Sequence, residues 1–257
     1  MELGRRRALV TGGGRGIGRA VALRLARSGC GVAVTSRTRA EVEGVAEEVR
    51  GLGARGVAVV ADVSRPDEVR RMFREAAGAL GPLDILVNAA GVAPSALVHR
   101  TSDEAWRAAI DTNLSGSFYC LREALAGMLE RGWGRVVNVA SIAGKTGYPY
   151  VSAYAASKHG VLGLTKCAAL EAAENGVTVN AVCPGYVDTP MTAASIARIV
   201  DKTGLAAADV RRRLEETSPQ KRLFTSDEVA AVVVFLCGDE AGGINGQALN
   251  VDGGAAV

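Results

Sequence analysis

Short aliphatic runs recur along most of this chain, and stretches with helical periodicity separate them. The runs read ALVT, VAVT, VAVVA, ILVN, VVNVA and VTVNAV. They predict strands near residues 7–11, 31–35, 56–61, 84–87, 134–140 and 177–183, with a last strand at 247–251. Apolar strands that alternate with helices are typical of a parallel sheet covered on both faces. The sequence therefore predicts an α/β fold with a doubly wound parallel sheet of about seven strands.

The intervening stretches predict helices on both faces of this sheet. Their expected positions are 16–28, 39–52, 67–80, 103–130, 153–175 and 226–237. A more polar segment at about 190–220 interrupts the rhythm, with helices expected near 191–200 and 207–216. Because this insertion follows the carboxyl end of a strand, where ligands bind in such sheets, we expect it to form a small helical lid. No linker rich in Pro or Ser divides the sequence, so residues 1–257 are predicted to form a single domain.

Composition narrows the function classes. Of the 257 residues 48% are hydrophobic, which is ample for a buried core, and the formal charge of +3 is too small to indicate nucleic acid binding. The longest apolar run, Val229–Cys237, is far shorter than the roughly 20 residues of a membrane span. Five dispersed cysteines without a CxxC pair, and only two histidines, predict a cytoplasmic protein without a metal site or a membrane anchor.

The stretch TGGGRGIGRA follows the first strand and opens the first helix. Its glycines at 12, 16 and 18 have the spacing G-x-x-x-G-x-G, which differs from the G-x-G-x-x-G dinucleotide fingerprint. A glycine loop in this position exposes backbone N–H groups at a helix N-terminus and so predicts a phosphate site. The alternative is a turn that only packs helix on strand. The candidate phosphate-binding residues are Gly12, Gly14, Arg15, Gly16, Ile17 and Gly18.

Further motifs follow in a fixed order along the chain. They are Asp62-Val63, NAAG from Asn88 to Gly91, Asn113, Ser141, Tyr154-x-x-x-Lys158 and PGYVDT from Pro184. With T-G-x-x-x-G-x-G at Thr11–Gly18, this set resembles the short-chain dehydrogenases/reductases over nearly the full length. One departure is Ala89, where the family commonly has a second asparagine. The resemblance implies a Rossmann-like fold and a nicotinamide-dependent oxidoreductase.

The same resemblance implies where the cofactor would lie. Asp62 and Val63 would hold the adenine ring, and Asn88 and Gly91 would border the cofactor. The nicotinamide end would be held by Pro184, Gly185, Val187 and Thr189. Taken alone, Asp62 could instead be a helix cap before Pro66.

The end of the second strand bears on the choice of nicotinamide cofactor. An acidic residue there selects NAD, whereas an arginine accommodates the 2′-phosphate of NADP. The sequence offers Ser36 and Arg37 at this place and no carboxylate. Arg15 lies in the adjacent loop, so both arginines are predicted to bind the 2′-phosphate of NADP(H). The alternative is that the two arginines are merely exposed.

Ser141, Tyr154 and Lys158 form the candidate catalytic set. Tyr154 and Lys158 stand four apart on one predicted helix and therefore share a face. Reduction of a carbonyl needs an acid for the developing alkoxide, and a nearby ammonium would lower the pKa of a tyrosine toward working pH. Ser141 would stabilise the substrate oxygen. By resemblance, Lys158 also binds the nicotinamide ribose and Asn113 positions a water behind Lys158.

The two histidines have weaker claims to a role. His159 follows Lys158 directly, so helical geometry turns it about 100° away and predicts a packing role. His99 lies in the loop region beyond NAAG and could border the substrate.

Segments around the catalytic set resemble β-ketoacyl reductases and the ketoreductases of aromatic polyketide pathways. The region SPQKRLFTSDEVAAVVVFLC is similar to 3-hydroxybutyrate dehydrogenases instead. Those enzymes use a histidine and a lysine where this chain has Ala143 and Val151, which argues against a small hydroxy acid. We therefore expect NADPH-dependent reduction of a ketone, as a β-ketoacyl thioester on an acyl carrier protein or coenzyme A, or as a polyketide-like chain.

Two alternatives are kept open. One is a secondary-alcohol dehydrogenase or carbonyl reductase for free cyclic or aromatic ketones, and the other is a non-catalytic NADP(H)-binding sensor. The ending GQALNVDGGAAV resembles the oligomer-forming terminus of the family, which implies a homotetramer.

Overall fold

Seven parallel strands form a single sheet in the computed structural model, which describes residues 3–4 and 6–256. Their order across the sheet is β3-β2-β1-β4-β5-β6-β7. The strands are β1 (Arg7–Thr11), β2 (Gly31–Ser36), β3 (Gly56–Val60), β4 (Ile85–Asn88), β5 (Gly134–Val139), β6 (Val177–Pro184) and β7 (Ala248–Val251). The predicted strands are thus confirmed to within about a residue at each end, and the Rossmann-like fold class is confirmed with them.

Helices cover both faces of the sheet. They are α1 (Gly16–Arg27), α2 (Arg39–Gly51), α3 (Pro66–Leu80), α4 (Asp103–Ala109), α5 (Gly116–Arg131), α6 (Ser152–Ala172), α7 (Pro190–Thr203), α8 (Ala207–Glu215) and α9 (Ser226–Leu236). Apolar side chains of α1, α2 and α9 bury one sheet face, and those of α3, α5 and α6 bury the other. Across the described residues, none of these helices combines the length and hydropathy needed to cross a membrane.

The single helix predicted over 103–130 is wrong in one respect. Helix α4 ends at Ala109, the chain widens into a π-helical turn over Ile110–Ser115, and α5 begins at Gly116. A Cβ on Gly116 would lie 2.8 Å from Cγ2 of Val63, so only glycine lets the helix start this close to the loop that follows β3. The hydrophobic periodicity of the sequence does not reveal this turn, because a single π-helical turn inside a helix changes the spacing of apolar residues very little.

Strand order reverses between β1 and β4, so this pair is the topological switch point. Thr11, at the end of β1, lies opposite Thr35 on one side and Asn88 on the other. Its hydroxyl accepts hydrogen bonds from the N–H groups of Ala89 and Ala90 at 3.1 and 3.2 Å. The loop after β4 is therefore tied to β1 at the crevice where open α/β sheets bind ligands.

The segment expected to form a lid contains α7 and α8, which pack against each other beyond the end of β6. Most of α7 is exposed or half-buried. The Arg198 guanidinium on α7 donates a hydrogen bond to the carbonyl of Ala93, in the loop after β4, at 3.3 Å. The helical pair is thus connected to the opposite side of the crevice.

Candidate active site

A cleft runs along the carboxyl ends of β1, β2 and β3 and ends near α7. The predicted residues that line it are Gly12, Gly14, Arg15, Gly16, Ile17, Gly18, Ser36, Arg37, Asp62, Val63, Gly91 and Thr189. The predicted residues outside its lining, among those described, are Asn88, Asn113, Ser141, Tyr154, Lys158, Pro184, Gly185 and Val187. The structure thus brings the glycine loop and the predicted adenosine residues together, while the catalytic end lies further along the sheet.

The glycine loop is close-packed against two neighbouring segments. Gly12 has φ +62°, and a Cβ there would lie 2.7 Å from the backbone nitrogen of Ala90. A Cβ on Gly18 would collide with the carbonyl oxygen of Gly12. Gly16 also has positive φ, at +53°. These contacts leave no room for side chains, so the backbone itself forms the floor of the cleft.

The N-terminus of α1 faces this floor. Within the described part of the chain, no side chain caps its first turn, and the N-cap residue Arg15 has extended backbone. The sequence places no acidic residue in that turn either. The first N–H groups of the helix are therefore free for an anion, and the positive end of the helix dipole favours one. This loop fits a dinucleotide pyrophosphate.

The adenosine end of the cleft holds two arginines and a carboxylate. Arg15 is 68% exposed, and its Nη1 lies 3.6 Å from Oε1 of Glu41. Arg37 is exposed and lines the same cleft, next to the half-buried Ser36. The end of β2 itself carries no carboxylate, as the sequence predicts, but the first turn of α2 places Glu41 beside it.

Asp62 follows β3 and is fixed by a turn of its own. Its Oδ1 accepts hydrogen bonds from the backbone nitrogen and the hydroxyl of Ser64, at 2.9 and 2.7 Å. The N-cap of α3 is Arg65 and the helix starts at Pro66, so the helix-cap interpretation of Asp62 is wrong. Val63 is buried against the start of α5.

Asn88 begins a buried chain of polar side chains under the loop after β4. Its Nδ2 donates to Oδ1 of Asn138 at 2.9 Å, and Nδ2 of Asn138 donates to the Thr165 hydroxyl at 2.9 Å. Oδ1 of Asn88 is buried and finds no donor among residues 3–4 and 6–256. Asn88 therefore joins β4 to β5 and α6, and it offers an unpaired acceptor beside the crevice.

Ser141, Tyr154 and Lys158 come together where β5 ends and α6 begins. Oγ of Ser141 accepts the N–H of Ala143 at 3.1 Å. The Lys158 ammonium donates to the carbonyl of Val139 at 2.7 Å and lies 5.7 Å from the centre of the Tyr154 ring. Tyr154 and Lys158 lie on one face of α6, as their spacing predicts.

Burial is the main influence on the pKa values of Tyr154 and Lys158. It raises the pKa of the Tyr154 phenol, and a hydrogen bond with Ser141 partly offsets that effect. It also lowers the pKa of the Lys158 ammonium to about 8. The expected lowering of the Tyr154 pKa is therefore not found in this structure, where loss of solvent is the largest influence on the phenol.

Asn113 lies at the centre of the π-helical turn and is fully buried. Its Oδ1 accepts the N–H of Val92 at 2.8 Å, while its Nδ2 donates to the carbonyl of Val92 at 3.0 Å and to the hydroxyl of Ser157 at 2.9 Å. Both ends of the side-chain amide are thus occupied, so the side chain holds the loop after β4 against α6. Its backbone carbonyl accepts the hydroxyl of Ser117 at 2.7 Å, and its predicted contact to a water stays a prediction.

The residues predicted for the nicotinamide end form a backbone strip after β6. Pro184 ends the strand, and the N–H of Gly185 donates to the carbonyl of Val251 at 3.0 Å. Val187 is buried, and Thr189 caps α7 by accepting the N–H of Thr192 at 3.3 Å. The strip therefore leads from the sheet into the predicted lid.

Comparison with known proteins identifies the family. A model of short-chain dehydrogenases, described as enoyl-(acyl carrier protein) reductase, matches residues 12–256. The chain belongs to the short-chain dehydrogenase/reductase family. The family of oxidoreductases that the sequence motifs resemble is thereby confirmed.

Among sequence relatives in this family, the 3-oxoacyl-[acyl-carrier-protein] reductase FabG of Staphylococcus epidermidis is 40% identical over 248 residues, covering 96% of this chain and 97% of the relative. The D-beta-hydroxybutyrate dehydrogenase of Rhizobium meliloti is 39% identical over 250 residues, covering 96% and 97%. Both full-length matches are to named oxidoreductases.

Two solved structures of the family are also similar over almost the whole chain. An actinorhodin polyketide ketoreductase with NADPH superposes with a TM-score of 0.95 at 38% identity, covering 98% of this chain and 97% of that one. Levodione reductase superposes with a TM-score of 0.93 at 33% identity, with the same coverage. The fold is therefore shared across the full length.

Several residues of this short-chain dehydrogenase/reductase escaped the sequence motifs. Glu41, Thr38, Thr112 and Met191 line the cleft. Glu41 and Met191 come from the first turns of helices, and a search of the first turn after each strand would have found them. The two histidines are less central, since His159 hydrogen-bonds the carbonyl of Ala155 in its own helix at 2.9 Å and His99 is exposed.

Proposed function

We propose that this short-chain dehydrogenase/reductase reduces a ketone to a secondary alcohol with NADPH. The observation that carries the proposal is the meeting of the Ser141 hydroxyl, the Tyr154 phenol and the Lys158 ammonium at the end of β5. Lys158 links this set to the cleft of the glycine loop, because its Nζ lies 3.8 Å from the position that a Cβ would take on Gly91 of the cleft lining. The three groups can bind a carbonyl oxygen and protonate it, which is the part of the reaction that the protein must perform.

NADPH, when bound, supplies the hydride that adds to the carbonyl carbon. The glycine loop, the free N–H groups of α1 and the cations Arg15 and Arg37 are the groups that would hold it. The similar actinorhodin ketoreductase is a structure with NADPH, which supports the same choice here.

Tyr154 acts as the acid. Because burial raises its pKa above the usual value near 10, the phenol keeps its proton at neutral pH and can give it to the developing alkoxide. Ser141 accepts the N–H of Ala143 and hydrogen-bonds the Tyr154 phenol, so its O–H turns from the phenol to the substrate oxygen when a ketone binds. The two hydroxyls thus have complementary roles, one as proton donor and one as hydrogen-bond donor.

Lys158 stabilises the Tyr154 phenolate that remains after the proton transfer. Its ammonium uses one of three N–H groups on Val139, and the other two can contact the phenolate of Tyr154 and the cofactor ribose. The buried Asn113 side chain holds the loop after β4 against α6 through hydrogen bonds with Val92 and Ser157.

The surface beside this site is apolar. A bridge between Ala96 and Val151 joins the loop after β4 to the segment before α6. Val98 and Tyr150, close to this bridge along the chain, are 74% and 56% exposed, and Met191 of α7 is an exposed residue of the cleft lining. Such a mouth favours an acyl chain or a ring as the group attached to the ketone.

A β-ketoacyl thioester or a polyketide-like chain is therefore the preferred substrate, carried on an acyl carrier protein or coenzyme A. The FabG relative supports the carrier, since its name specifies an acyl-carrier-protein substrate. Ala143 and Val151 offer no polar side chain for a small hydroxy acid, in spite of the similarity to a hydroxybutyrate dehydrogenase. A free cyclic ketone is the second candidate, favoured by the same apolar mouth and by the likeness to levodione reductase.

We further propose a cytoplasmic homotetramer. Four of the cysteines are buried as free thiols and Cys167 is exposed as one, which suits a reducing compartment. The C-terminal strand β7 and the turn after it are the segment that resembles the oligomer-forming terminus of the family.

Spectrophotometric NADPH oxidation by the purified protein tests the function. The substrates are a β-ketoacyl thioester on coenzyme A, the same group on an acyl carrier protein, a free cyclic diketone and a 2-enoyl thioester. We expect turnover of the β-ketoacyl thioesters, faster on the preferred carrier. Turnover of the enoyl thioester alone would contradict ketone reduction, and tight NADPH binding without turnover of any ketone would indicate the sensor.

A further inference from the structure

The carboxylate of Glu41 lies where the 2′-phosphate of NADP(H) is expected to bind. Its Oε2 is 3.0 Å, and its Cβ 2.8 Å, from the position that a Cβ on Gly14 would take. The hydroxyl of Ser36 is 3.2 Å from that same position. Together with Arg15 and Arg37, these residues line the adenosine end of the cleft. A carboxylate is therefore built into the pocket whose cations are proposed to bind a phosphate.

Glu41 also forms an ion pair with Arg15, one of the two cations that are proposed to bind the 2′-phosphate. Its Oε1 lies 3.6 Å from Nη1 of Arg15, and its side chain is only 31% exposed whereas that of Arg15 is 68% exposed. Glu41 is the acidic residue in the first turn of α2, where the helix dipole favours an anion. The side chain thus satisfies both Arg15 and the helix end in the way a bound phosphate would.

We propose that Glu41 is a specificity-determining residue, and that it lowers the preference for NADPH over NADH. The inference rests on the proposed function. A 2′-phosphate must displace Glu41 from Arg15 and is repelled by its charge. The 2′-hydroxyl of NADH carries no charge and can donate a hydrogen bond to the same carboxylate, as acidic residues do in NAD sites. One side chain therefore weakens the phosphorylated cofactor and supports the other.

A neighbouring pair provides the matched control. Glu43 lies on the same helix and forms an ion pair with Arg39 at 3.1 Å. Among the described residues, the lining of the cleft includes Glu41 but neither Glu43 nor Arg39. E43Q and E41Q therefore remove the same charge from the same helix, and only E41Q removes it from the cleft.

Equilibrium binding measures the effect without turnover. The dissociation constants of NADPH, NADH, 2′,5′-ADP and 5′-AMP are determined by calorimetry for the wild type, E41Q and E43Q. We expect E41Q to tighten NADPH and 2′,5′-ADP about fivefold and to weaken NADH about twofold. The preference for NADPH over NADH should then rise about tenfold, while E43Q stays within twofold of the wild type.

The outcomes separate the inference from the function on which it rests. A wild type that binds 2′,5′-ADP no better than 5′-AMP would refute the proposed use of NADPH. A wild type that prefers 2′,5′-ADP, with E41Q equal to E43Q, would overturn the role of Glu41 and leave ketone reduction by NADPH intact. In an R15A background the gain from E41Q should shrink, and an undiminished gain would overturn the competition for Arg15.

Discussion

The two ends of the crevice, the catalytic end and the adenosine end, differ in how far their polar side chains are buried and in how they are held. At the catalytic end Asn113 is fully buried and Lys158 is 5% exposed, and both hydrogen-bond to backbone groups. At the adenosine end Arg15 is 68% exposed and its partner Glu41 is half-buried. An unpaired buried polar group costs about 1–3 kcal/mol, whereas an exposed ion pair contributes about 0–1 kcal/mol. The side chains at the catalytic end are therefore held rigidly, whereas a single substitution at the adenosine end can change the cofactor preference.

Removing the phenol hydroxyl tests the rigid end most severely. Tyr154→Phe should lower the rate of ketone reduction at least about 100-fold, because a positioned general acid contributes that much. NADPH binding should persist, since the glycine loop is untouched. Steady-state kinetics with Tyr119→Phe as control, which removes a phenol hydroxyl from α5 where the ring packs against the core, should give nearly the wild-type rate. Near wild-type reduction by the Tyr154 variant would remove the acid from the mechanism.

The loop between the two ends should tolerate a methyl group poorly. Gly18→Ala places a Cβ against the carbonyl oxygen of Gly12, which cannot move without shifting the loop. Overpacking of this kind costs about 1–3 kcal/mol, and because the shifted loop carries this cost into cofactor binding, NADPH affinity should fall between about fivefold and about 150-fold. Gly163→Ala, where a Cβ on α6 meets open space, is the control for titration calorimetry. Equal affinities of the two variants would show that the loop is not the phosphate site.

The rate of reduction should depend on pH through Lys158. Burial lowers the pKa of its ammonium to about 8, so the lysine is charged below that pH and neutral above it. The charge stabilises the phenolate that forms as Tyr154 gives up its proton. A profile of kcat at saturating NADPH should therefore fall as the pH rises through about 8. If kcat stayed constant to well above that pH, the charge of Lys158 would not be needed for proton transfer from Tyr154.

The smallest effect is expected at the exposed end. Arg15→Ala should raise the KM for NADPH about threefold to tenfold, which is modest because Arg15 is solvent-exposed and already paired with Glu41. Activity with NADH should be nearly unchanged. The control is Arg19→Ala. Arg19 lies further along α1 than Arg15, and the substitution breaks its ion pair with Glu48 of α2. A large loss with both cofactors would mean that Arg15 supports the loop rather than the 2′-phosphate.

Much of the site was predictable because its residues sit at fixed points of a repeating pattern. Ser141 ends a strand, and Tyr154 and Lys158 are one turn apart on a helix, so their meeting follows from the order of the elements. The π-helical turn at Ile110–Ser115 was missed because its backbone differs from an α-helix by one residue in hydrogen-bond register. The pKa of Tyr154 was expected in the wrong direction because a sequence carries no measure of burial.

The sequence by itself determined the sheet and its ligand-binding edge, and it predicted the candidate catalytic groups. Apolar strand runs, helix periodicity and glycine spacing are local properties, and each is readable within a few residues. Only the tertiary structure decided which charges meet across elements. Glu41 reaches Arg15 because α2 packs beside the glycine loop, and distances between elements depend on packing that no local pattern records.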